Sequence, residues 1–419
     1  MVPNGWKRVP IKDACESIID CVNKTAPVVE FETPFKMIRT TNVRNGRVNT
    51  TDVKYVTEDT YLQWVRRGKP QVGDIIFTRE APVGEVGILE DADGIFLGQR
   101  TMMYRANLNR SDNYYLFYSL LSSFCQKQIE DFSNGGTVAH MRVPDCGEII
   151  INLPPLPEQK KIAQILSTWD MAITTTEQLL SNSQQQKKAL MLQLLTGKKR
   201  FGHPLDSYEF KNTRYGKIPA DWSYPAIKEI SSNVSEKNTQ GTDLPVLSCS
   251  KYDGFVDSLK YFKKKVYSED TSGYRVIPRG CFGFPSNHIE EGSIGLQNLY
   301  DFGLVSPIYV VFKVNSSKVD AKFLYSLLKT EHYRQIFCAA TNASVDRRGS
   351  LRWKEFSAIH VPLPPLEEQQ KIAAVLSMAD SEIAVFQQKL VALKQEKKAL
   401  MQQLLTGKRR VKINEKEVA

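Results

Sequence analysis

One stretch of this chain occurs twice. The segment LPPLPEQKKIAQILS at 153–167 returns as LPPLEEQQKIAAVLS at 363–377, an offset of 210 positions. When 153–200 is aligned with 363–410 without gaps, more than half of the positions are identical, and both copies end in LLTGK. A duplication of this length predicts two equivalent structural units, each built around the same element.

Each copy has the features of one long helix. Prolines lie before the helix and in its first turn, and Glu158 or Glu368 places negative charge near the positive N-terminal end. Gly197 and Gly407 are typical C-terminal stops. Apolar residues recur at alternating steps of four and three, which is a heptad seam. The predicted seam residues are Ile162, Leu166, Trp169, Ile173, Leu180, Leu190 and Leu194 in the first copy, and Ile372, Leu376, Ile383, Phe386, Leu390, Leu393, Leu400 and Leu404 in the second.

The narrow seam predicts that the two helices pack against each other. A helix of about 57 Å with so narrow an apolar stripe needs a partner helix, and the other copy is the obvious one. Thr176, Ser183 and Lys187 weaken the seam of the first copy, and Lys397 is a charged exception in the second. The alternative is two unrelated core helices in two separate domains.

The segments before the two helices match at their ends and diverge between. VPNGW at 2–6 matches IPADW at 218–222, and LFYSLL at 116–121 matches FLYSLL at 323–328. We therefore predict an α+β chain of two globular domains, each followed by a long helix. The predicted segments are a first domain (1–152), a first helix (153–200), a linker (201–214), a second domain (215–362), a second helix (363–410) and a tail (411–419).

Both domains are predicted to mix strands and helices. The predicted elements are strands at 73–78, 83–89 and 94–105 and a helix at 113–130 in the first domain, and strands at 278–284, 292–296 and 304–312 and a helix at 322–337 in the second.

Charge and cysteine content restrict the class of partner and the compartment. The formal net charge of +10 favours an anionic partner, most often nucleic acid. Seven cysteines without C-x-x-C spacing argue against a disulfide framework or a zinc site and fit a reducing compartment. The N-terminus has no apolar signal region and the chain has no run of 18 apolar residues, so we expect a cytoplasmic protein without a membrane partner.

The sequence contains no convincing catalytic motif. It has no Walker loop, no G-x-G-x-x-G and no N-P-P-Y or D-P-P-Y, and its five histidines do not cluster, so we predict no metal site. PD at 144–145 followed by EQK at 158–160 fits the P-D…E-x-K pattern of nucleases, in which carboxylates hold Mg²⁺. However, E-x-K belongs on a strand, whereas here it opens a helix, and the second copy reads EQQ at 368–370.

The whole chain resembles the specificity subunit of type I restriction-modification enzymes. The proline turns and E-Q-x-K-I motifs at 152–162 and 362–372, with helices that close on LLTGK, carry the resemblance. GDI at 73–75, TR at 78–79 and PVG at 82–84 also resemble a common segment of that family's target-recognition domains. The second domain departs there and reads RGCFGF at 279–284.

This resemblance implies a role as a non-catalytic DNA reader. Each domain would be a target-recognition domain that reads one half of a split sequence in double-stranded DNA, and the two helices would form an antiparallel coiled-coil spacer with pseudo-two-fold symmetry. Two modification subunits would bind the helical frame, and restriction subunits would join them. The complex would methylate adenine with S-adenosylmethionine and cleave unmodified DNA with ATP and Mg²⁺. Those cofactors are expected on the partner chains, with none on this one.

Polar and basic loops in the two domains are the candidate DNA contacts. Lys and Arg bind phosphates, whereas Arg, Asn, Gln and Lys read base edges. The candidates are Thr78, Arg79, Gln99, Arg100, Thr137, His140 and Arg142 in the first domain, and Asn287, His288, Arg347, Arg348 and Arg352 in the second. The stretches 134–142 and 342–352 occupy equivalent places, each between a helix and the strand before the proline turn.

Three other hypotheses remain open from the sequence. The chain could be a coiled-coil scaffold whose domains bind proteins and have no DNA role. It could be a nuclease, or a fused methylase-nuclease, that acts alone with Mg²⁺. It could also be a specificity subunit of a different restriction class.

Overall fold

The computed structural model describes residues 2–133, 139–204, 207–342 and 349–413. They form two compact units, of which unit 1 comprises 1–178 with 388–419 and unit 2 comprises 179–387. Each unit thus contains one predicted domain together with a stretch of each long helix. Within the described residues, no helix combines the length and the apolar character needed to span a membrane.

Unit 1 is built on strands and short helices that precede the first long helix. Its strands are β1 (Lys7–Pro10), β2 (Cys15–Asp20), β3 (Lys36–Ile38), β4 (Val43–Arg44), β5 (Gly46–Val48), β6 (Lys54–Tyr55), β7 (Ile75–Arg79), β8 (Val83–Ile88), β9 (Ile95–Leu97), β10 (Thr101–Ala106) and β11 (Ile150–Leu153). Its helices are α1 (Glu58–Trp64), α2 (Asn113–Leu121), α3 (Ser123–Ser133), α4 (Val143–Gly147) and the start of α5 (Leu156–Leu194).

A six-stranded sheet in the order β2-β10-β7-β8-β5-β4 forms the centre of unit 1. Its neighbours are antiparallel except for β5 beside β8. Side chains of β7 alternate between two cores, with Ile75 and Phe77 in the core that includes α2, and Ile76 in a core with Ile38 and Met103. A smaller sheet, β6-β3-β9, and the pair β1-β11 complete the unit.

Unit 2 has its own set of strands and short helices. Its strands are β12 (Phe210–Thr213), β13 (Gly216–Pro219), β14 (Ser231–Val234), β15 (Leu247–Ser250), β16 (Gly254–Asp257), β17 (Arg275–Pro278), β18 (Phe282–Pro285), β19 (Gly295–Leu296), β20 (Phe302–Val305) and β21 (Tyr309–Val314). Its helices are α6 (Ile227–Ile230), α7 (Ser258–Phe262), α8 (Ala321–Leu328), α9 (Glu331–Asn342), α10 (Trp353–Phe356) and the start of α11 (Leu366–Leu404).

A four-stranded antiparallel sheet in the order β14-β21-β18-β19 carries the aromatic core of unit 2. The rings of Phe282 and Phe312 stack with their centroids 4.9 Å apart, and Phe284 lies 4.6 Å from Phe356. Aromatic pairs at such distances contribute stability beyond the area they bury. The pairs β12-β13, β15-β16 and β17-β20 surround this sheet.

Several strands and helices that were predicted as continuous are each divided into two in the structure. The predicted strand 94–105 is broken between β9 and β10, where Arg100 has a φ of 67°. The predicted helix 113–130 is broken at Ser122, which has extended backbone angles. In unit 2 the predicted strands 278–284 and 304–312 and the helix 322–337 are likewise divided, into β17 and β18, β20 and β21, and α8 and α9. The strand predicted at 292–296 is only β19.

The two long helices have about the predicted length of 57 Å and lie inside the predicted segments 153–200 and 363–410. Helices α5 and α11 each contain 39 residues. All of the predicted seam residues are buried or half-buried, and so are the polar residues that interrupt the seam. The buried hydroxyl of Thr176 donates a hydrogen bond to the carbonyl of Ala172 one turn earlier, which satisfies it within its own helix.

In each unit, segments of the two helices pack together in opposite directions. In unit 1, Ile162 and Leu166 share a core with Leu404, while Asp170, further along α5, pairs with the earlier Lys397. In unit 2, the core instead joins Leu190, Leu194 and Leu195 to Ile372 and Leu376.

Candidate functional site

The start of α5 is fixed by a buried carboxylate in unit 1. The Glu158 side chain accepts hydrogen bonds from Nε and Nη2 of Arg410, at 2.6 and 2.8 Å, and from the indole N–H of Trp6 at 3.0 Å. These hydrogen bonds from the Arg410 guanidinium to Glu158 raise the pKa of the arginine above its ordinary value. Two residues that both copies of the repeat share, a glutamate after the prolines and an arginine after LLTGK, thus meet in one cluster.

Unit 2 contains the same cluster 210 positions along the chain. Glu368 accepts hydrogen bonds from Nε and Nη2 of Arg200, at 2.9 and 2.7 Å, and from the indole of Trp222 at 3.3 Å. Arg200 also makes a bidentate pair with Asp221, at 2.7 and 2.8 Å. Hydrogen bonds to Glu368 first, and then to Asp221, raise the pKa of Arg200, and the guanidinium lowers the pKa of Asp221.

The glutamine that follows each of these glutamates joins the helix to its domain. The Gln159 amide accepts from the N–H of Asp112 and donates to the carbonyls of Arg110 and Pro154. Gln369 does the same with the N–H of Asp320 and the carbonyls of Lys318 and Pro364. In both units this amide therefore holds the segment that leads into α2 or α8.

The glycine of each LLTGK motif permits a close approach to the start of a domain. Gly197 has a φ of 71°, and a Cβ placed there would lie 2.3 Å from Cγ of Pro219. Gly407 has a φ of 69°, and its Cβ would lie 2.3 Å from Cγ of Pro3. Both the backbone angle and the space thus require glycine.

The charged residues in the heptad seam form ion pairs. Lys397 Nζ lies 2.5 Å from Asp170 Oδ1 in unit 1, and Lys187 Nζ lies 2.5 Å from Asp380 Oδ1 in unit 2. The two pairs occupy equivalent repeat positions. The sequence interpretation treated both lysines as interruptions of the seam and missed their partners. The signal that could have revealed them was the repetition of both members at the same offset.

Two of the candidate DNA contacts are engaged inside unit 1. The buried Thr78 hydroxyl donates to the carbonyl of Pro82 and accepts from the N–H of Glu85. Arg79 is also buried, with Nη2 lying 3.1 Å from Asp20 Oδ1 and Nη1 donating to the carbonyl of Met141. Because both side chains are buried, the structure gives no support to the prediction that they contact DNA. Both instead make contacts that stabilise the fold of unit 1.

Three other candidates, Gln99, Arg100 and His140, lie near the turn of the β7-β8 hairpin, which contains Glu80. Glu80 forms a backbone bridge with His140, and its carboxylate lies 3.1 Å from Arg100 Nε and 3.6 Å from His140 Nδ1. Gln99, half-buried, accepts a hydrogen bond from the Thr25 hydroxyl. We call Glu80, Arg100 and His140 the first corner. The sequence interpretation did not single out Glu80.

Arg142 is exposed and lies two residues after His140, in the segment that leads into α4. Its guanidinium makes a bidentate pair with Asp145 in α4, at 2.7 and 3.1 Å. Asp145 is one carboxylate of the nuclease-like pattern, and the other, Glu158, is buried between Arg410 and Trp6 at the start of α5. Both carboxylates are thus engaged by arginine, which argues against a shared Mg²⁺ site.

Unit 2 has an equivalent corner after β18. The Leu351 N–H donates to the Ser286 carbonyl at 2.8 Å, as the Met141 N–H donates to the Arg79 carbonyl at 3.0 Å in unit 1. This bond brings Asn287 and His288 beside the loop of the exposed Arg352, the residue before α10. Among the described candidates of unit 2, Asn287, His288 and Arg352 thus lie at one corner, which we call the second corner.

The second corner contains polar groups in close contact. His288 Nδ1 lies 3.2 Å from Glu291 Oε1, and the buried Oδ1 of Asn287 has no hydrogen-bond partner in the described part of the chain. Within that part, His288, Glu290 and Glu291 also have the spacing of a possible metal-ligand group, although exposed acidic groups commonly have it without a metal. The candidates Thr137, Arg347 and Arg348 lie outside the described residues.

Comparison with known proteins identifies the family. The family model for the type I restriction modification DNA specificity domain matches residues 3–182 and 225–395, which together span most of the chain. The chain belongs to the type I restriction-modification specificity family. It is a specificity subunit with two such domains, as the sequence resemblance predicted, which favours this hypothesis over a protein scaffold or a nuclease that acts alone.

Relatives extend along nearly the full chain. The type I restriction enzyme MjaVIII specificity subunit of Methanocaldococcus jannaschii is 30% identical over 364 residues, covering 80% of this chain and 82% of the relative. A protein of the same organism, provisionally named the MjaX specificity subunit, is 28% identical over 98% of this chain and 95% of its own length. The S subunit of a type I system from M. genitalium has a similar fold, with a TM-score of 0.58 at 16% identity, covering 97% of this chain and 98% of that one.

Proposed function

We propose that each unit carries one target-recognition domain and that each domain reads one half of a split DNA sequence. The two corners would face the DNA, with basic side chains supplying phosphate contacts and the polar ones supplying base contacts. Helices α5 and α11 would act as an antiparallel coiled-coil spacer that fixes the length of the unread gap. The pseudo-two-fold relation of the two copies would present the two readers to opposite strands of the DNA.

The observation that carries this proposal is the reciprocal exchange between the two copies of the repeat. Glu158 of the first copy pairs with Arg410 of the second, and Glu368 of the second pairs with Arg200 of the first. Reciprocal contacts of this kind, in which i meets j and j meets i, are what a two-fold arrangement of equivalent parts produces. Two readers related in this way suit a DNA target made of two half-sites.

We further propose that this chain directs chemistry carried out by other subunits. The modification subunits would methylate adenine with S-adenosylmethionine, and the restriction subunits would cleave unmodified DNA with ATP and Mg²⁺. The chain itself would supply no catalytic group. Its engaged nuclease-like carboxylates, each bound by arginine, support this assignment.

The test is methylated-base sequencing of DNA from cells that contain the modification subunit with or without this chain. We expect a split motif to gain N6-methyladenine on both strands only when the chain is present. Exchanging residues 1–152 for the first domain of a relative should change one half of that motif and leave the other half intact. A methylation pattern that ignores both the chain and the exchange would contradict the proposal.

A further inference from the structure

The first corner has an acidic residue at its centre. The Glu80 side chain is 19% exposed, whereas its partners Arg100 and His140 are 54% and 45% exposed. Glu80 thus lies beneath two accessible side chains that come from different loops. It connects the β7-β8 hairpin, the turn between β9 and β10, and the segment before α4.

Electrostatics alone does not account for a carboxylate at this position. A negative charge on a DNA-binding surface repels phosphates and lowers sequence-independent affinity. Ion pairs between exposed side chains add little stability. A carboxylate that contacts two separate loops does, however, restrict the conformations of both partners, which reduces the entropy lost when they bind a ligand.

The backbone around Glu80 is fixed by a second set of contacts. The N–H of Arg79 donates to the carbonyl of Arg100 at 2.8 Å, although Arg100 has a left-handed φ of 67°. Arg79 itself is buried against Asp20. Asp20 and Arg79 therefore hold the turn between β9 and β10, and Glu80 contacts the side chain of Arg100 in that turn and of His140 in the segment before α4.

We propose that Glu80 is a positioning residue that sets the sequence specificity of the first domain by orienting Arg100 and His140. This inference rests on the proposed DNA-reading function. The contact from Glu80 is to Nε of Arg100, so a guanidinium held there would keep its two Nη groups for bidentate contacts to guanine O6 and N7. The ligand class is thus a base pair with paired acceptors in the major groove.

The experiment compares the wild type with Glu80→Gln and Glu80→Ala, each purified with its modification subunit. Binding is measured against duplex libraries randomised at one half-site at a time, at several salt concentrations. We expect both variants to lose roughly ten-fold in discrimination at the first half-site, with Glu80→Gln the milder. Discrimination at the second half-site should not change. Binding to unrelated DNA should become stronger and steeper in its salt dependence, because Arg100 is released to contact phosphate.

Two controls separate positioning from damage to the fold. Glu130→Gln makes the same charge change in unit 1 at an exposed residue that pairs with Lys127, and it should leave both half-sites unchanged. In an Arg100→Ala background, Glu80→Ala should cause little further loss, because coupled residues are not additive. A general structural defect would instead weaken specific and unrelated binding together.

The outcomes distinguish this inference from the proposed function. If the wild-type complex recognises no split motif, both are overturned. If the wild type recognises one and Glu80→Gln keeps full discrimination at both half-sites, only the role of Glu80 is overturned. Additive losses from Glu80→Ala and Arg100→Ala would also overturn it.

Discussion

Arg200 and Arg410 occupy the same position in the repeat but differ in their surroundings. The Arg200 side chain is 2% exposed and pairs with both Glu368 and Asp221, whereas that of Arg410 is 45% exposed and pairs with Glu158. Removing one partner of a buried ion pair is costly because it leaves an uncompensated charge. Removing Arg410 leaves the buried Glu158 without its partner, but Arg410 lies at the surface, so water can enter its place and partly solvate the carboxylate.

This difference predicts that replacing each arginine by leucine causes unequal losses of stability. We expect Arg200→Leu to lower the free energy of unfolding by about 3–5 kcal/mol. We expect Arg410→Leu to lower it by about 1–3 kcal/mol. Urea unfolding of the two variants beside the wild type measures both losses. Equal losses would mean that exposure does not control the strength of this contact.

The glycine at the end of α5 allows the helix to dock onto the start of unit 2's domain. Gly197→Ala combines a left-handed backbone with a Cβ that would clash with Pro219. Gly202 has a similar φ of 78° but open space around its Cβ. Comparing Gly197→Ala with Gly202→Ala thus separates the cost of backbone strain from the cost of a steric clash.

We predict that Gly202→Ala lowers stability by about 1 kcal/mol and Gly197→Ala by about 3 kcal/mol or more. Thermal unfolding monitored by circular dichroism measures the shifts in Tm. Similar shifts for the two variants would show that the contact with Pro219 can relax and that only the backbone angle matters.

Glu177 connects both long helices to the domain of unit 1. Its carboxylate, on α5, lies 2.9 Å from Lys394 Nζ on α11 and 2.9 Å from Arg47 Nη2 on β5. Burial raises the pKa of Glu177, but hydrogen bonds from Lys394 and Arg47 lower it more, so that the net pKa lies below its usual value of 4.5.

A lowered pKa in the folded state predicts a loss of stability in acid. The contribution of Glu177 is fully present above its unfolded pKa and is lost as the pH falls through the lower, folded value. We therefore expect Glu177→Gln to destabilise the chain at pH 7 but to have less effect near pH 3. Urea midpoints of both proteins between these limits check this, and a difference that does not depend on pH would contradict it.

At the scale of the whole molecule, neither half of the sequence contains all of its own unit. The core of unit 1 includes Leu404 and Leu405 together with Ile162 and Leu166, and the core of unit 2 includes Leu194 and Leu195 together with Ile372 and Leu376. Each core thus uses residues from both copies of the repeat. A fragment that ends after the first helix must leave part of its apolar surface uncovered.

We predict that fragments 2–204 and 207–413 do not form stable monomers when produced separately. Produced together, they should form a one-to-one complex with native secondary structure, because each supplies the helix segment that the other lacks. Light scattering after size-exclusion chromatography distinguishes these species. A stable monomer of either fragment would contradict the prediction, whereas a homodimer would show that one copy of the repeat can replace the other.

The sequence predicted the long helices better than it predicted the elements of the domains. A heptad seam repeats over many turns, so single exceptions such as Thr176 did not obscure it. The domain elements are short, and local backbone angles divide them, as at Ser122 and Arg100. Those angles depend on tertiary contacts, such as the bond from the Arg79 N–H to the Arg100 carbonyl.

For the candidate DNA contacts, too, the sequence identified the loops but not how the individual side chains pack. Composition identified polar loops, but it could not distinguish the buried Arg79 from the exposed Arg100, because burial depends on packing against Asp20 and Met141. It also could not identify Glu80, whose two partners are separated from it in sequence.

By itself, the sequence determined the duplication, the two long helices, their seam and the family, because these depend on patterns that repeat along the chain. Only the tertiary structure decided which residues meet. It paired Glu158 with Arg410 and Glu368 with Arg200, and it placed stretches of both helices in each unit. The physical reason is that periodicity is a local property of the chain, whereas a buried charge finds its partner only when distant segments pack together.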